Sequence, residues 1–302
     1  MSGIVNAMSV DVEDYFQVSA FEGAVSREDW NTYESRVVRN THKLLEVFHA
    51  SGVRSTFFVL GWVAKRFPSL VSEIAKAGHE VASHGFHHQL AYGLTAHQFR
   101  QDVRAAKAVI EDAGGRVVTG YRAPSFSIIN SNLWALDVLI DEGYVYDASI
   151  FPIHHDRYGI PDAARHPTRI ARGARSILEV PGSTVRVGRT NLPVAGGGYF
   201  RLLPYGWTKW GIARVNRVDR EPVVFYLHPW EIDPQQPRLP SGRLTRIRHY
   251  TGLASTLQRL HRLVKDFRFD SIDAMLGLRP GLGRHQAEAH AIARRELLHV
   301  VK

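Results

Sequence analysis

Short apolar runs of the strand type alternate with amphipathic helical segments along most of this chain, and that alternation limits its folds more than any other feature. Ala7 to Val12, Thr56 to Leu60, Glu80 to Ser83, Leu178 to Val180 and Pro222 to Leu227 read as buried strands. Between them the spacing predicts helices over Val37 to Ala50, over Leu70 to Ala77 between Pro68 and Gly78, and from Ser131 to Gly143. Thr95 and Gln98 form a capping box for a further helix whose Phe99, Val103, Ala106 and Ile110 share one face. His249 to Phe267 is expected as one helix with Leu253, Leu257, Leu260, Val264 and Phe267 facing inward. Such repetition implies an α/β fold with a parallel sheet and helices packed outside it, and 302 residues suit a barrel better than a small open sheet. Phe151 to Ala174 lacks periodicity and is expected as a long loop or insertion.

Composition narrows the chemistry. Hydrophobic residues make up 44% and charged residues 22%, which argues against disorder. No stretch approaches the ~18 apolar residues of a membrane span. The N-terminus lacks a basic region, and Asp11, Glu13 and Asp14 interrupt its apolar run, so no signal peptide and a cytoplasmic location are expected. Without cysteine, any metal must be held by His and carboxylate. Residues 201–302 hold 18 Lys+Arg and 9 Asp+Glu, so the whole basic excess of +9 lies in the last third. Segments such as Arg243, Arg246, Arg248 and Arg259, Arg262, Lys265 are ordinarily a solvated basic face. They also suit attraction to an anionic membrane or an acidic glycan, with nucleic acid the lesser candidate.

Polar residues gather where predicted strands end. Asp11, Glu13 and Asp14 close the first strand, His84 follows Ser83, Arg122 follows Tyr121, and His228 follows Leu227. In a β/α barrel catalytic groups collect at that rim. His84 and His88 are four residues apart, which on one helical turn places both imidazoles on one side, and the acidic cluster offers an oxygen ligand. His87 is expected to support the ligands from behind or to be structural. Gly196-Gly197-Gly198 has no nucleotide-binding spacing and is expected to let the backbone turn tightly beside Tyr199 and Phe200. Trp62, Trp207 and Trp210 are expected to be packed inside. Trp230, two residues after His228, is expected on the rim, where it could stack on a sugar.

Asp11-Val12-Glu13-Asp14, His84-x3-His88, Arg122-Ala123-Pro124, Tyr146-Asp147-Ala148-Ser149 and Leu227-His228-Pro229 occur in the order found in a known family. Over residues 5 to 275 the chain resembles the NodB-homology polysaccharide deacetylases, the metal-dependent carbohydrate esterases of family four. The Asp-Val-Glu-Asp-Tyr-Phe opening, Gly196 to Arg201 and Leu227-His228-Pro229-Trp230-Glu231 are similar to its exopolysaccharide- and exosortase-associated branch. The resemblance implies a distorted (β/α)7 barrel that holds one divalent metal ion, zinc before other divalent ions. The implied reaction removes N-acetyl groups from N-acetylhexosamine units of an exopolysaccharide or its lipid-linked precursor.

Carried over residue by residue, the resemblance makes Asp11 the catalytic base, Arg122 the group that orients it, His228 the general acid and Asp147 the partner of that histidine. His84 and His88 become metal ligands. The first motif departs from the adjacent aspartates of many members, so either Glu13 or Asp14 could be the third ligand. Strand alternation, which puts Asp11 and Glu13 on one face, favours Glu13. The implied partner is an acetylated glycan, with peripheral inner-membrane contact through the basic third. The expected organisation is a catalytic domain over 1–278 and a basic tail over 279–302. An amidase for small cyclic or linear amides on the same fold is the rival enzyme, and a catalytically silent glycan- or polyanion-binding protein the rival from another class.

Overall fold

The structure is a computed structural model that describes residues 3–279, so the expected basic tail lies outside the described residues except for Arg279. The strands are β1 (Asn6–Val12), β2 (Thr56–Val59), β3 (Glu80–Ser83), β4 (Gly120–Tyr121), β5 (Tyr146–Asp147), β6 (Thr168–Arg172), β7 (Arg175–Glu179), β8 (Thr184–Val187), β9 (Thr190–Pro193), β10 (Val224–Leu227) and β11 (Phe269–Asp270). The helices are α1 (Val37–Ser51), α2 (Gly61–Arg66), α3 (Pro68–Lys76), α4 (Ala96–Gly114), α5 (Trp134–Asp141), α6 (Gly197–Leu202), α7 (Tyr205–Arg214), α8 (Arg243–Tyr250), α9 (Leu253–Asp266) and α10 (Ile272–Met275).

Seven strands run parallel in the order β10-β1-β2-β3-β4-β5-β7, as a distorted (β/α)7 barrel requires. No ladder joins β7 to β10 among the described residues. The gap is spanned instead by Ser183, whose Oγ accepts from the Val224 amide at 2.8 Å. β1 and β2 are buried along their whole length, as expected of central strands covered on both faces. The helices fit their sequence signals. α4 has the expected capping box at Thr95 and buries Phe99, Val103, Ala106 and Ile110, and α3 opens on Pro68. Among the described residues no helix is long and apolar enough to cross a membrane.

Two expectations about elements are corrected. The helix expected over His249 to Phe267 is divided. α9 starts only at Leu253, because Gly252 takes φ 83° where a Cβ would come within 2.5 Å of the Arg201 carbonyl oxygen. His249 and Tyr250 instead end α8, which starts at Arg243. The segment expected as a loop to Ala174 contains β6, which pairs antiparallel with β7 and extends the sheet. Its half-exposed alternation is too polar to stand out from a loop.

The foot of the barrel is closed by α10. The Ile272 amide donates to Thr56 Oγ1 (2.7 Å) and the Asp273 amide to Glu80 Oε2 (3.0 Å). Burial and then the nearby Asp273 push the Glu80 carboxyl up to about 8, although Thr56 and Tyr146 hydrogen-bond to it. Between the unfolded value near 4.5 and about 8, the native protein keeps a proton that the unfolded chain releases. Stability from this group is therefore greatest below about pH 4.5 and is lost as pH rises through about 8. Glu80→Gln should flatten the fall in unfolding free energy between those limits, read by urea denaturation across pH; an unchanged slope would remove Glu80 as its source.

Candidate metal centre and active site

The carboxyl ends of β1, β3, β4 and β10 deliver their polar residues to one buried point. Glu13, just past β1, meets His84 and His88, and one ligand atom from each lies within 4.8 Å of the others. Their side chains are all nearly inaccessible to solvent. Glu13 Oε2 accepts no hydrogen bond from the described residues, yet it sits 2.7 Å from His88 Nε2. A buried carboxylate oxygen without a donor, facing an imidazole nitrogen, is what a bound cation would satisfy. The histidines are oriented for that. His84 Nδ1–H donates to the Arg122 carbonyl at 2.8 Å, leaving Nε2 free, and His88 Nδ1 faces Ser19 Oγ at 3.4 Å. Burial, reinforced by His88, brings His84 down to about 4 against the pull of Asp11 and Glu13, so its imidazole is neutral. Burial tends to raise the Glu13 carboxyl, but His88 and His228 outweigh it and hold Glu13 well below the usual range. This donor set, two imidazoles and one carboxylate, fits a single divalent metal ion.

The two histidines do not converge through a helical turn, as their spacing suggested. His84 follows β3 directly, Gly85 takes φ 74°, and His88 takes φ 52°. A Cβ on Gly85 would come within 2.8 Å of Asp102 Oδ2, which also accepts from the Phe86 amide. A tight left-handed turn braced by Asp102 therefore replaces the helix. His87 points out of the cluster and is exposed.

Asp11 lies beside the cluster, 2.6 Å from Arg122 Nη1. That nitrogen also donates to Ser9 Oγ (2.9 Å), and Arg122 Nε donates to the Ala148 carbonyl (3.3 Å). The guanidinium rests over the Phe58 ring, 4.1 Å from its centroid. His228 lies against both carboxylates, its Nε2 3.6 Å from Glu13 Oε1 and 3.8 Å from Asp11 Oδ2. Burial opposes its charge, but Glu13, Glu231 and Asp11 raise it to about 9.

Three expected contacts are corrected. Asp14 is not in the cluster: its carboxylate accepts from the Tyr15, Arg36 and Val37 amides and from Ser35 Oγ, capping the start of α1. Asp147 does not hold His228. It lies at the end of β5 against Ser149 and Glu179, where burial raises its carboxyl to about 6. His228 Nδ1 instead lies 3.1 Å from Glu231 Oε2, and Glu231 Oε1 accepts from Arg201 Nε at 2.6 Å. Trp230 is not a rim platform. It is 4% exposed, sandwiched between the rings of His228 and His249, and donates from Nε1 to Glu13 Oε1 at 3.1 Å. Trp210, expected inside, is 42% exposed. Glu231 and Arg201 both stood in quoted motifs. The three-residue step from His228 to Glu231 was the available signal, whereas the Gly196 to Arg201 segment marked Arg201 without indicating a partner for it.

His84→Ala and His88→Ala should each lose bound divalent metal, read by titration calorimetry, while His87→Ala keeps it. Asp14→Ala should also keep the metal but lose about 1–2 kcal/mol of unfolding free energy with the helix cap. Loss of metal in a folded Asp14→Ala protein would return Asp14 to the ligand set.

The chain is similar to known proteins in sequence over part of its length and in fold over most of it. The polysaccharide deacetylase family model matches residues 28–144, and a model described as a domain of unknown function (DUF3473) matches residues 148–277. A peptidoglycan deacetylase of Helicobacter pylori is 33% identical over 116 residues, 38% of this chain and 37% of the relative. A peptidoglycan-N-acetylglucosamine deacetylase of Bacillus cereus is 28% identical over 98 residues, 32% of this chain and 36% of the relative. The chain thus spans about a third of the length of these curated relatives. A crystal structure from Mycobacterium smegmatis, assigned as a polysaccharide deacetylase, superposes over 91% of both chains at 18% identity with a TM-score of 0.56, which establishes a shared fold. The family model and these relatives thus show a likeness to polysaccharide deacetylases over little more than a third of the chain.

Proposed function

We propose that the chain is a metal-dependent hydrolase that removes N-acetyl groups from N-acetylhexosamine units of a glycan. The observation that carries this reading is that two proton-transfer groups meet at one candidate metal cluster, His228 Nε2 lying 3.8 Å from Asp11 Oδ2 and 3.6 Å from Glu13 Oε1. Asp11, paired with Arg122, and His228, held by Glu231, lie beside Glu13, His84 and His88. A divalent ion bound there supplies Lewis acidity to polarise an amide carbonyl and to acidify water. Asp11 takes a proton from the attacking water, and Arg122 fixes which carboxylate oxygen is available. His228 delivers a proton to the sugar nitrogen as the C–N bond breaks, so that acetate and a free amine leave. Glu231 orients the His228 ring, and Arg201 holds Glu231; both are positioning residues in this scheme.

In this reading residues 1–278 form the catalytic unit, 279–302 are an appended basic tail, and zinc is the first candidate metal. The substrate class is a bacterial exopolysaccharide or its lipid-linked precursor, met at an anionic membrane through the basic last third. The names of the Helicobacter and Bacillus relatives make peptidoglycan the competing glycan. Acetate release measured over N-acetylglucosamine oligomers, acetylated exopolysaccharide and peptidoglycan should identify the glycan, and chelation should abolish the release. Acetate from none of them, with hydrolysis of small cyclic amides, would favour the amidase instead.

Asp11→Asn and His228→Ala should retain metal yet cut turnover by about 10²–10⁴, the usual worth of one positioned proton-transfer group. Wild-type turnover in His228→Ala would exclude its role as the acid. Glu231→Gln should lower kcat by at least about tenfold with KM and metal content little changed, and Glu231→Asp should recover part of the loss. Equal effects on kcat, KM and metal content would instead mark Glu231 as purely structural.

A further inference from the structure

Between Asp233 and Asp266 the chain carries seven Arg and Lys residues and no acid. The structure divides these cations into two kinds. Arg259 is consumed internally: its Nη1 donates to the carbonyls of Phe200, Arg201 and Leu203. Arg262 lies over the Tyr205 ring, 4.5 Å from its centroid. Arg243, Arg246 and Arg248, all on α8, are exposed and form no ion pair among the described residues.

α8 has an unusual outer face. At 100° per residue, Thr245 and His249 turn inward, and His249 stacks on Trp230 with ring centroids 4.2 Å apart. Leu244 and Ile247 lie on the opposite side, 61% and 50% exposed, with the three arginines beside them. Two exposed aliphatic side chains on a helix of such low mean hydropathy are not explained by folding, since neither reaches the core. Their combination with unpaired cations is the pattern of a helix that lies in a lipid interface, apolar side chains in the acyl boundary and cations at the headgroups. A soluble polyanion would draw on the arginines but have no use for Leu244 and Ile247.

We propose that the outer face of α8 docks on an anionic lipid bilayer, with Leu244 and Ile247 inserted and Arg243, Arg246 and Arg248 at the headgroups. This localises the membrane contact of the proposed function to one helix and excludes Arg259 from it. The docking itself does not depend on the catalytic reading. α8 also backs the wall of the site, because Arg201 Nη1 holds the His249 carbonyl (2.8 Å) and Nη2 the Arg248 carbonyl (3.0 Å) while its Nε holds Glu231.

The test is co-sedimentation of the full chain with vesicles of phosphatidylcholine alone or mixed with 30% phosphatidylglycerol, at low and physiological salt. Binding should require phosphatidylglycerol and weaken with salt, because exposed charges are screened within about 8 Å at physiological ionic strength. The double variant Arg243→Gln/Arg246→Gln should bind about 20- to 30-fold more weakly, at roughly fivefold for each arginine near the surface. Leu244→Ser/Ile247→Ser should also lose at least about tenfold, with its net charge unchanged. Arg186→Gln, an exposed arginine on β8, should bind like the wild type. Circular dichroism establishes that each variant is folded, and acetate release from a soluble oligomer reports the catalytic reading separately. The proposal fails if the wild type ignores anionic vesicles. It fails equally if Leu244→Ser/Ile247→Ser binds them unchanged, which would leave a polyanion site of arginines alone.

Discussion

A guanidinium enclosed in the barrel organises this molecule. Arg122 is 2% exposed, and its contacts reach β1 through Asp11 and Ser9, the β3 end through His84, and the β5 end through Ala148. A buried charge is costly unless it is paired and its remaining donors are used, so Arg122 and Asp11 constrain one another. Removing either would leave an uncompensated charge worth about 3–5 kcal/mol. The same residue serves as backbone as well: its carbonyl selects the His84 tautomer and so turns Nε2 toward the cluster. Stability and site geometry are therefore tied to one side chain.

On the opposite side, the last third of the chain supplies a second brace. Arg201 gathers three backbone carbonyls from the end of α8 and the turn after it, then fixes Glu231, which fixes His228. Trp230 fills the space between His228 and His249 and reaches Glu13, so one indole touches both the acid arm and the carboxylate of the cluster. The polysaccharide deacetylase match holds His84, His88 and Arg122, whereas His228, Glu231 and Arg201 belong to the match of unknown function. β1, which lies outside both matches and carries Asp11, pairs with β2 of the first and β10 of the second and so joins them, Val10 between Phe57 and Leu227. Neither matched region alone contains a complete site.

Much of the fold was legible because its signals are local. Period-two and period-3.6 patterns, the Thr95 capping box and Pro68 act within one turn or one strand, and the structure has elements where they predict them. Site residues at strand ends were legible too, since a parallel barrel puts all such ends on one rim. The failures are of another kind. Asp14 and Glu13 are adjacent and chemically alike; what separates them is the start of α1, twenty-odd residues later, which claims Asp14 as its cap. Asp147 and Glu231 are both acids near the barrel mouth, and only the path of the chain after β10 puts Glu231 against His228. Exposed Trp210 and buried Trp230 read alike in sequence because either environment suits an indole.

By itself, the sequence determined the class of fold, the place of its central strands and of several packing helices, and the set of residue types available for chemistry. Those follow from hydrophobic periodicity and from the absence of cysteine, neither of which needs a third dimension. Tertiary structure alone decided which carboxylate joins the histidines, which acid supports His228, and which arginines are spent inside the protein. Each of those choices is a competition between like groups for a partner distant in the chain. It is settled by distances of 2.6 to 3.1 Å that exist only once the barrel has closed, as in the Arg201–Glu231–His228 contacts.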